Sequence, residues 1–460
     1  MQCAAVTDGW PAGWVTEADQ RRFARYAEAL AFYEGTQWSG KRRPGEPRLT
    51  FNYARTLVRK VASYVFPAPV TFSVPAPADA GLEAAARRAE LALAEALAAN
   101  DAARLDVELC VDAAVLGDAA LKVTWDATRG EPVIVGVDPA TLVARCEPDN
   151  PRRIESIVQA YGMSGSAVAR AFGPIMASSA LAGLAPERVY RVVETWTPSR
   201  WTVEIAGQLV REGPNPYGWI PYVVIPNNPR SHAFWGESDL ADLYDVCREL
   251  NARMSVVSRV LELSGAPIAV LENVDGSEGI TVGPGAKWEL PEGAKAYLLD
   301  LLSGGGVQLH IDYINVLYRA LHDLSETPRT AFGDSGRVLS GAALEVEVQP
   351  LVQKVQRKRR AWEAAFRERN ARVLDLLERF GGLDLGGLRR TVTIWPNVLP
   401  SDTESAVRNA ARLVSAGIHS RRTAVAALGG DDPEGELDRV LEEMRALAAI
   451  AGDGRAGEGA

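Results

Sequence analysis

From Gly236 to Phe380 the alternation of apolar and polar positions reads as helix, insert, helix, loop and long helix. Leu240, Leu243, Cys247, Leu250, Met254, Val257 and Leu261 recur at alternating steps of three and four. That is one narrow apolar seam, of the kind that helices packed side by side require. Ser238 is placed to cap this helix, with Asp239 and Asp242 in its first turn. Gly265 and Pro267 stop it after roughly 40 Å at 1.5 Å per residue.

The insert holds the short apolar runs Pro267-Ile-Ala-Val-Leu271 and Lys287-Trp-Glu-Leu290, separated by the turn dipeptides Asp275-Gly276 and Pro284-Gly285. Small strands closed by loops are expected there. After Gly304-Gly305-Gly306 a second helix is marked by Ile311, Ile314, Leu317, Tyr318, Leu321 and Leu324, with Pro328 just beyond its end. Two helices flanking a strand-bearing insert predict an antiparallel hairpin with a small β tip. The following stretch, Arg329 to Gly341, is too rich in Gly and Ser to pack. Ser340 then caps a helix of about forty residues, against an ordinary mean of 11–12. Pro350 inside it predicts a kink, because it removes a backbone donor and crowds the preceding turn.

Upstream, residues 1–15 read as a loose arm. Thr16 caps a helix that carries Phe23, Tyr26, Leu30 and Tyr33 on one face, and residues 52–65 form another. Residues 70–74 alternate as a short strand. An Ala-rich helical stretch, 82–116, is broken near Asn100-Asp101. Strands are expected at 119–125, 132–137 and 153–161, a helix-like stretch at 166–184, and a hairpin at 189–196 and 200–205. Downstream come a late strand at 391–395 and helices at 404–416, 420–428 and 434–450. The chain predicts an α+β protein in which sequence on both sides of the hairpin builds one domain. Residues 452–460 have a composition that does not fold.

Composition sharpens this mainly through charge. The net charge is −9, and Glu237 to Glu326 carries fifteen Asp/Glu against six Lys/Arg, so the remainder sums to zero. Such an acidic segment reads as solvated helix faces, or in a ring as a wall that repels DNA phosphate. The one dense basic run is Lys354-Val-Gln-Arg-Lys-Arg-Arg360. It reads as a solvated face or a partner for acidic neighbours, with contact through Lys354, Arg357, Lys358, Arg359 and Arg360 to DNA or to the stem of a neighbouring subunit as the alternative. Cys3, Cys110, Cys146 and Cys247 lack CxxC spacing and read as reduced core thiols. The start shows neither a signal-peptide pattern nor, elsewhere, a run near the ~20 apolar residues of a membrane span. His232, His310, His322 and His419 have no metal spacing. Gly35-Thr-Gln-Trp-Ser-Gly40-Lys41-Arg42 fits the P-loop spacing, but Arg42 stands where Ser or Thr must bind Mg²⁺, and the flanking elements are wrong. It reads as a chance match.

Several segments resemble the portal proteins of tailed double-stranded DNA phages. They are Asn215-Pro-Tyr-Gly-Trp-Ile-Pro221, Ile225-Pro-Asn-Asn228, Trp235-Gly-Glu-Ser-Asp-Leu240 and Leu339-Ser-Gly-Ala-Ala-Leu344 before a long helix, with Phe32-Tyr-Glu-Gly35 similar to the family's structural turn. The resemblance runs from about Tyr26 to about Met444. It implies a wing (16–235 and 342–400), stem helices (236–264 and 307–327), a clip (265–306), a tunnel loop (328–341) and a helical crown (401–451). It further implies a dodecameric ring at one capsid vertex through which DNA is packaged and ejected. Expected partners are the terminase large subunit, head-completion proteins, and the major capsid and scaffolding proteins; no cofactor, membrane or catalysis is expected. The subunit would assemble in the host cytoplasm and reside in the virion. Arg329, Phe332, Gly333, Ser335, Gly336 and Arg337 would face DNA from the tunnel loop. Glu272, Asp275, Glu278, Lys287, Trp288 and Glu289 would lie on the clip where the motor docks. A head–tail connector without motor contact is the alternative reading, and a P-loop hydrolase a third.

Overall fold

The computed structural model describes residues 10, 13–77, 81–172, 183–265, 269–273, 290, 292–298, 306–333, 341–399, 403–419, 421–428, 439–440 and 442–444. With 48% helix and 20% strand the protein is α+β. In chain order, α1 (Glu17–Glu34) and α2 (Tyr53–Val65) precede β1 (Thr71–Ser73), α3 (Glu83–Ala99) and α4 (Ala102–Leu116). Next come β2 (Asp118–Asp126), β3 (Glu131–Val137), β4 (Leu142–Cys146) and β5 (Ile154–Ser164), then α5 (Gly165–Phe172). Strands β6 (Val189–Trp196), β7 (Arg200–Ile205), β8 (Gln208–Pro214) and β9 (Tyr222–Pro226) follow. The helical hairpin is α6 (Tyr244–Gly265), β10 (Ala269–Glu272), β11 (Lys295–Leu298) and α7 (Gly306–Leu324). Then come α8 (Gly341–Glu347), α9 (Gln349–Arg379), β12 (Val392–Ile394), α10 (Thr403–Ser415) and α11 (Arg421–Ala427).

The chain divides into two compact units. The larger, Met1–Val65 with Phe72–Thr393, holds an antiparallel meander in the order β4-β5-β6-β7-β8 and a second antiparallel sheet in the order β3-β2-β9. Helices α4 and α9 both pack on β2. That explains why Ala119, Ala120, Leu121 and Val123 are all buried instead of alternating. The two sheets are tied by a buried ion pair: Lys122 Nζ donates to Glu194 Oε2 at 2.6 Å, while Tyr161 and Trp196 also donate to Glu194. Burial would raise the Glu194 pKa, yet Lys122 and these bonds hold it below the usual carboxylate range. Helix α9 is the spine of the unit. Its Leu351, Val355, Trp362, Phe366 and Val373 are buried at helical spacing, and its fully buried Arg369 donates to Asp106 of α4 at 2.7 Å.

The Asn215–Pro221 motif anchors that spine. Asn215 donates to the carbonyls of Thr197 and Trp219, the ring of Tyr217 stacks between Trp196 and Trp219, and Trp219 Nε1 donates to Asp375 of α9. The smaller unit, Phe66–Thr71 with Ile394–Ala460, contains α10 packed on α11, and its Phe66 ring lies tilted against Trp395 at 5.6 Å.

Several expectations are corrected. The expected forty-residue helix is two: α8 ends at Glu347 and Pro350 lies in the first turn of α9. Proline's missing donor costs nothing there, so it starts a helix instead of kinking one. The first hairpin helix was expected from Ser238; residues Ala241–Leu243 form a 3₁₀ turn and the α-helix starts at Tyr244. In the insert, the first strand lies at Ala269–Glu272, near its expected place. The second lies at Lys295–Leu298, and the run 287–289 falls outside the described residues. The Ala-rich stretch splits at Asp101, whose φ of +48° ends α3 from α4 as the break at Asn100-Asp101 implied.

Candidate functional site at the base of the helical hairpin

Three backbone segments cross at the base of the hairpin, and two glycines let them meet. Gly117 closes α4 with φ +98°, and a Cβ there would sit 2.8 Å from the Glu237 carbonyl carbon. At Gly236 a Cβ would come within 2.0 Å of the Asn227 carbonyl oxygen. The segments are laced by backbone bonds: Asn227 N–H to Gly117 O at 2.8 Å, Glu237 N–H to Asn227 O at 2.7 Å, and Asp239 N–H to Ala114 O at 2.9 Å. Both the Ile225–Asn228 and the Trp235–Leu240 motifs are therefore one structural device. Asp118 completes it, accepting from Gly236 N–H at 2.8 Å and Tyr26 Oη at 2.6 Å. Burial raises the Asp118 pKa against the pull of those two donors. Beside it the Arg22 guanidinium lies 3.8 Å over the Trp235 ring and donates to the carbonyls of Pro139 and Leu142.

Asp239 receives two lysines. Lys358 Nζ lies 2.7 Å and Lys354 Nζ 3.7 Å from its Oδ2, and all three side chains are under a tenth exposed. Lys354 also donates to Ser325 O, one residue past α7, at 2.9 Å, and Lys358 donates to Asn227. Burial alone would push the Asp239 carboxyl up, but Lys358, Lys354 and the hydrogen bonds hold it well below the usual range. Burial lowers the Lys354 pKa, with Asp239 opposing. The pair thus binds α9 to the start of one hairpin helix, the end of the other and the exit of β9. This junction ties these elements to one another.

It also settles where the basic run lies. Lys354 and Lys358 share the buried face of α9 because they are four apart, and Arg359 is buried while donating to Val65 O. They are neither solvated nor open to DNA. Arg357 pairs with Glu326 at 2.5 Å on the surface, and Arg360 is exposed. The acidic-partner reading holds for three of the five. The sequence signal that separates them is the four-residue step of Lys354 and Lys358 in register with Leu351, Val355 and Trp362.

The expected loop is packed at its start. Arg329–Phe332 is a 3₁₀ turn closed by Gly333 at φ +83°. Phe332 lies edge-on to the buried His322 ring at 5.4 Å, with Lys60 Nζ 5.7 Å over it, and the Arg329 guanidinium sits 5.1 Å over Tyr318. The absence of packing expected here is therefore wrong for 329–332, where aromatic neighbours outweigh local composition. Ser335, Gly336 and Arg337 lie outside the described residues. In the insert, Glu272 faces Lys295 across the β10–β11 pair and accepts from Tyr297 Oη at 3.2 Å; both Glu272 and Tyr297 are exposed. Asp275, Glu278, Lys287, Trp288 and Glu289 are likewise outside the described residues.

Gly35 caps α1 with φ +77°, and no helix begins before Tyr53. Segment 35–41 therefore has no strand before it and no helix N-terminus after it, the two features that cradle phosphate in a P-loop. Among the described residues no group of three His, Cys, Asp or Glu is placed to hold a metal, and no helix is long and apolar enough to cross a membrane.

The fold and junction acquire a meaning from comparison with known families. The family model described as phage portal protein, SPP1 Gp6-like, matches residues 12–448. The chain belongs to the phage portal family. A search of curated proteins returned no match. As a portal protein the chain is a phage portal subunit, a virion component of the head–tail connector whose channel role in DNA packaging follows from the family. The family is structural rather than catalytic, and it builds ring oligomers that meet capsid and terminase.

Proposed function

We propose that the subunit closes into a dodecameric ring whose stem is the α6–α7 hairpin, whose clip is the β10–β11 insert, and whose tunnel loop spans 328–341. The larger unit's sheets with α9 form the wing, and α10–α11 belong to the crown. The observation that carries this reading is the family match across residues 12–448 on a chain whose helical hairpin is rooted in a buried junction. In this reading the terminase large subunit docks on the clip during packaging, and head-completion proteins replace it there afterwards. The capsid and scaffolding proteins hold the ring at one vertex, assembly takes place in the host cytoplasm, and the acidic hairpin lines a conduit that DNA does not stick to.

Glu272 and Tyr297 support the clip assignment because both are exposed on a two-stranded pair. The variant Glu272→Lys with Tyr297→Ala is expected to weaken binding of purified terminase large subunit by roughly tenfold or more, through reversed charge at a contact. Ring yield should not change. Unchanged terminase affinity would move the docking site off this strand pair.

A further inference from the structure

Helix α7 shows two distinct apolar faces, one buried and one exposed. Leu317 and Leu321 are buried, and Leu321 joins the core at the base of the hairpin. About 80° around the helix, taken at 3.6 residues per turn, Leu309, Tyr313, Val316 and Leu324 recur in steps of four, three and eight, and they are between 43% and 72% exposed. Asp312 and Asp323, both exposed, lie along one edge of that stripe, and Asp312 accepts from Gln308 at 2.9 Å. The helix therefore presents an apolar strip, edged on one side with carboxylates, that no described residue covers.

A groove of about 730 Å³ elsewhere in the same unit has the opposite character. Ile225, Phe234 and Trp362 form its floor, and Arg152, Arg357 and Arg360 stand on its rim. Two carboxylates on the wall, Glu237 and Glu368, are each engaged by an arginine, Arg230 and Arg372. Arg152 and Arg360 are exposed and have no ion-pair partner among the described residues. Double-stranded DNA would leave the apolar floor unused. An amphipathic helix with one acidic edge would use both floor and rim.

We propose that the outer face of α7 in one subunit seats in the groove of the next, with Asp312 and Asp323 meeting Arg152 and Arg360. Two different, complementary patches on one chain make a heterologous contact, which propagates around a ring and closes it. The proposal rests on the ring reading above and names the surfaces that form it.

The test is a charge swap read by native mass spectrometry and light scattering over a concentration series. Arg152→Glu with Arg360→Glu is expected to raise the ring-forming concentration on the order of a hundredfold, from like charges brought together. Asp312→Arg with Asp323→Arg is expected to do the same. Combining all four should restore rings to within about tenfold of the unmutated protein, since the pairs are re-formed in reverse. All four side chains are exposed, so the thermal midpoints of the variants should stay close to the original. Rings from Arg152→Glu/Arg360→Glu at the unmutated concentration would overturn the contact while leaving the ring reading intact; so would a lack of rescue in the combined variant. Normal rings with impaired DNA retention would mean that the groove serves nucleic acid, and would overturn the contact equally. Failure of the unmutated protein to form rings would overturn the ring reading and this contact with it.

Discussion

Replacing Asp239 with alanine is expected to destabilise the subunit by about 3–5 kcal/mol, the cost of leaving buried charge uncompensated. Lys358 and Lys354 are both buried against this carboxylate, and their ammonium groups would keep only the carbonyl of Ser325 and the side chain of Asn227. Replacing all three residues with apolar ones of similar size, Asp239→Leu with Lys354→Met and Lys358→Met, should recover most of the loss, because no charge then stays stranded. The effect has a defined pH dependence. The folded Asp239 pKa is depressed, so its contribution is fully present above the unfolded carboxylate value of about 4. It is lost as pH falls through the lower folded value, and the difference between Asp239→Ala and the unmutated protein should shrink in that acid window. Urea unfolding at pH 7 and at pH 3 measures both statements. A loss below about 1 kcal/mol at pH 7 would show that the junction is not held by this pair.

Removing residues 334–338 is expected to leave rings and thermal stability almost unchanged while packaged DNA falls roughly tenfold or more, as phosphate contacts are lost from every subunit. The cut starts after Phe332 and Gly333 because Phe332 is packed on His322 and belongs to the fold. Gly336 and Ser335 leave the intervening chain costly to order, at about 1–2 kcal/mol per residue, so a fold gains little by fixing it. On the tunnel-loop proposal the segment recurs once per subunit, and Arg337 would meet passing phosphates and release them again. Particles assembled with the shortened subunit and treated with nuclease report the protected DNA. Normal DNA content would remove the tunnel loop from this segment; loss of rings would make it structural.

The hairpin was legible in the sequence because a seam at steps of three and four survives whatever packs on it. The same holds for α4 and the strands around β2, whose apolar runs are long. What was not legible depends on partners distant in sequence. Glu194 alternates correctly in β6, yet nothing local says that Lys122 of β2, seventy-two residues away, will meet it. Strand β8 was missed because its exposed pattern, with Leu209 turned outward, lacks an apolar side. The lysines of α9 read as basic surface, since charge in sequence signals solvent until a buried carboxylate appears. Asp239 is such a carboxylate, and it lies in the very Trp235–Leu240 motif that pointed to the portal family. The motif's role is thus structural: its glycine and aspartate let the hairpin meet α9.

The most direct test of the portal ring is class-averaged electron microscopy of the purified protein, paired with native mass spectrometry. The account predicts closed rings with a central hole and the mass of a dodecamer of the 49.5 kDa subunit. A stable monomer across micromolar concentrations and moderate salt would contradict it.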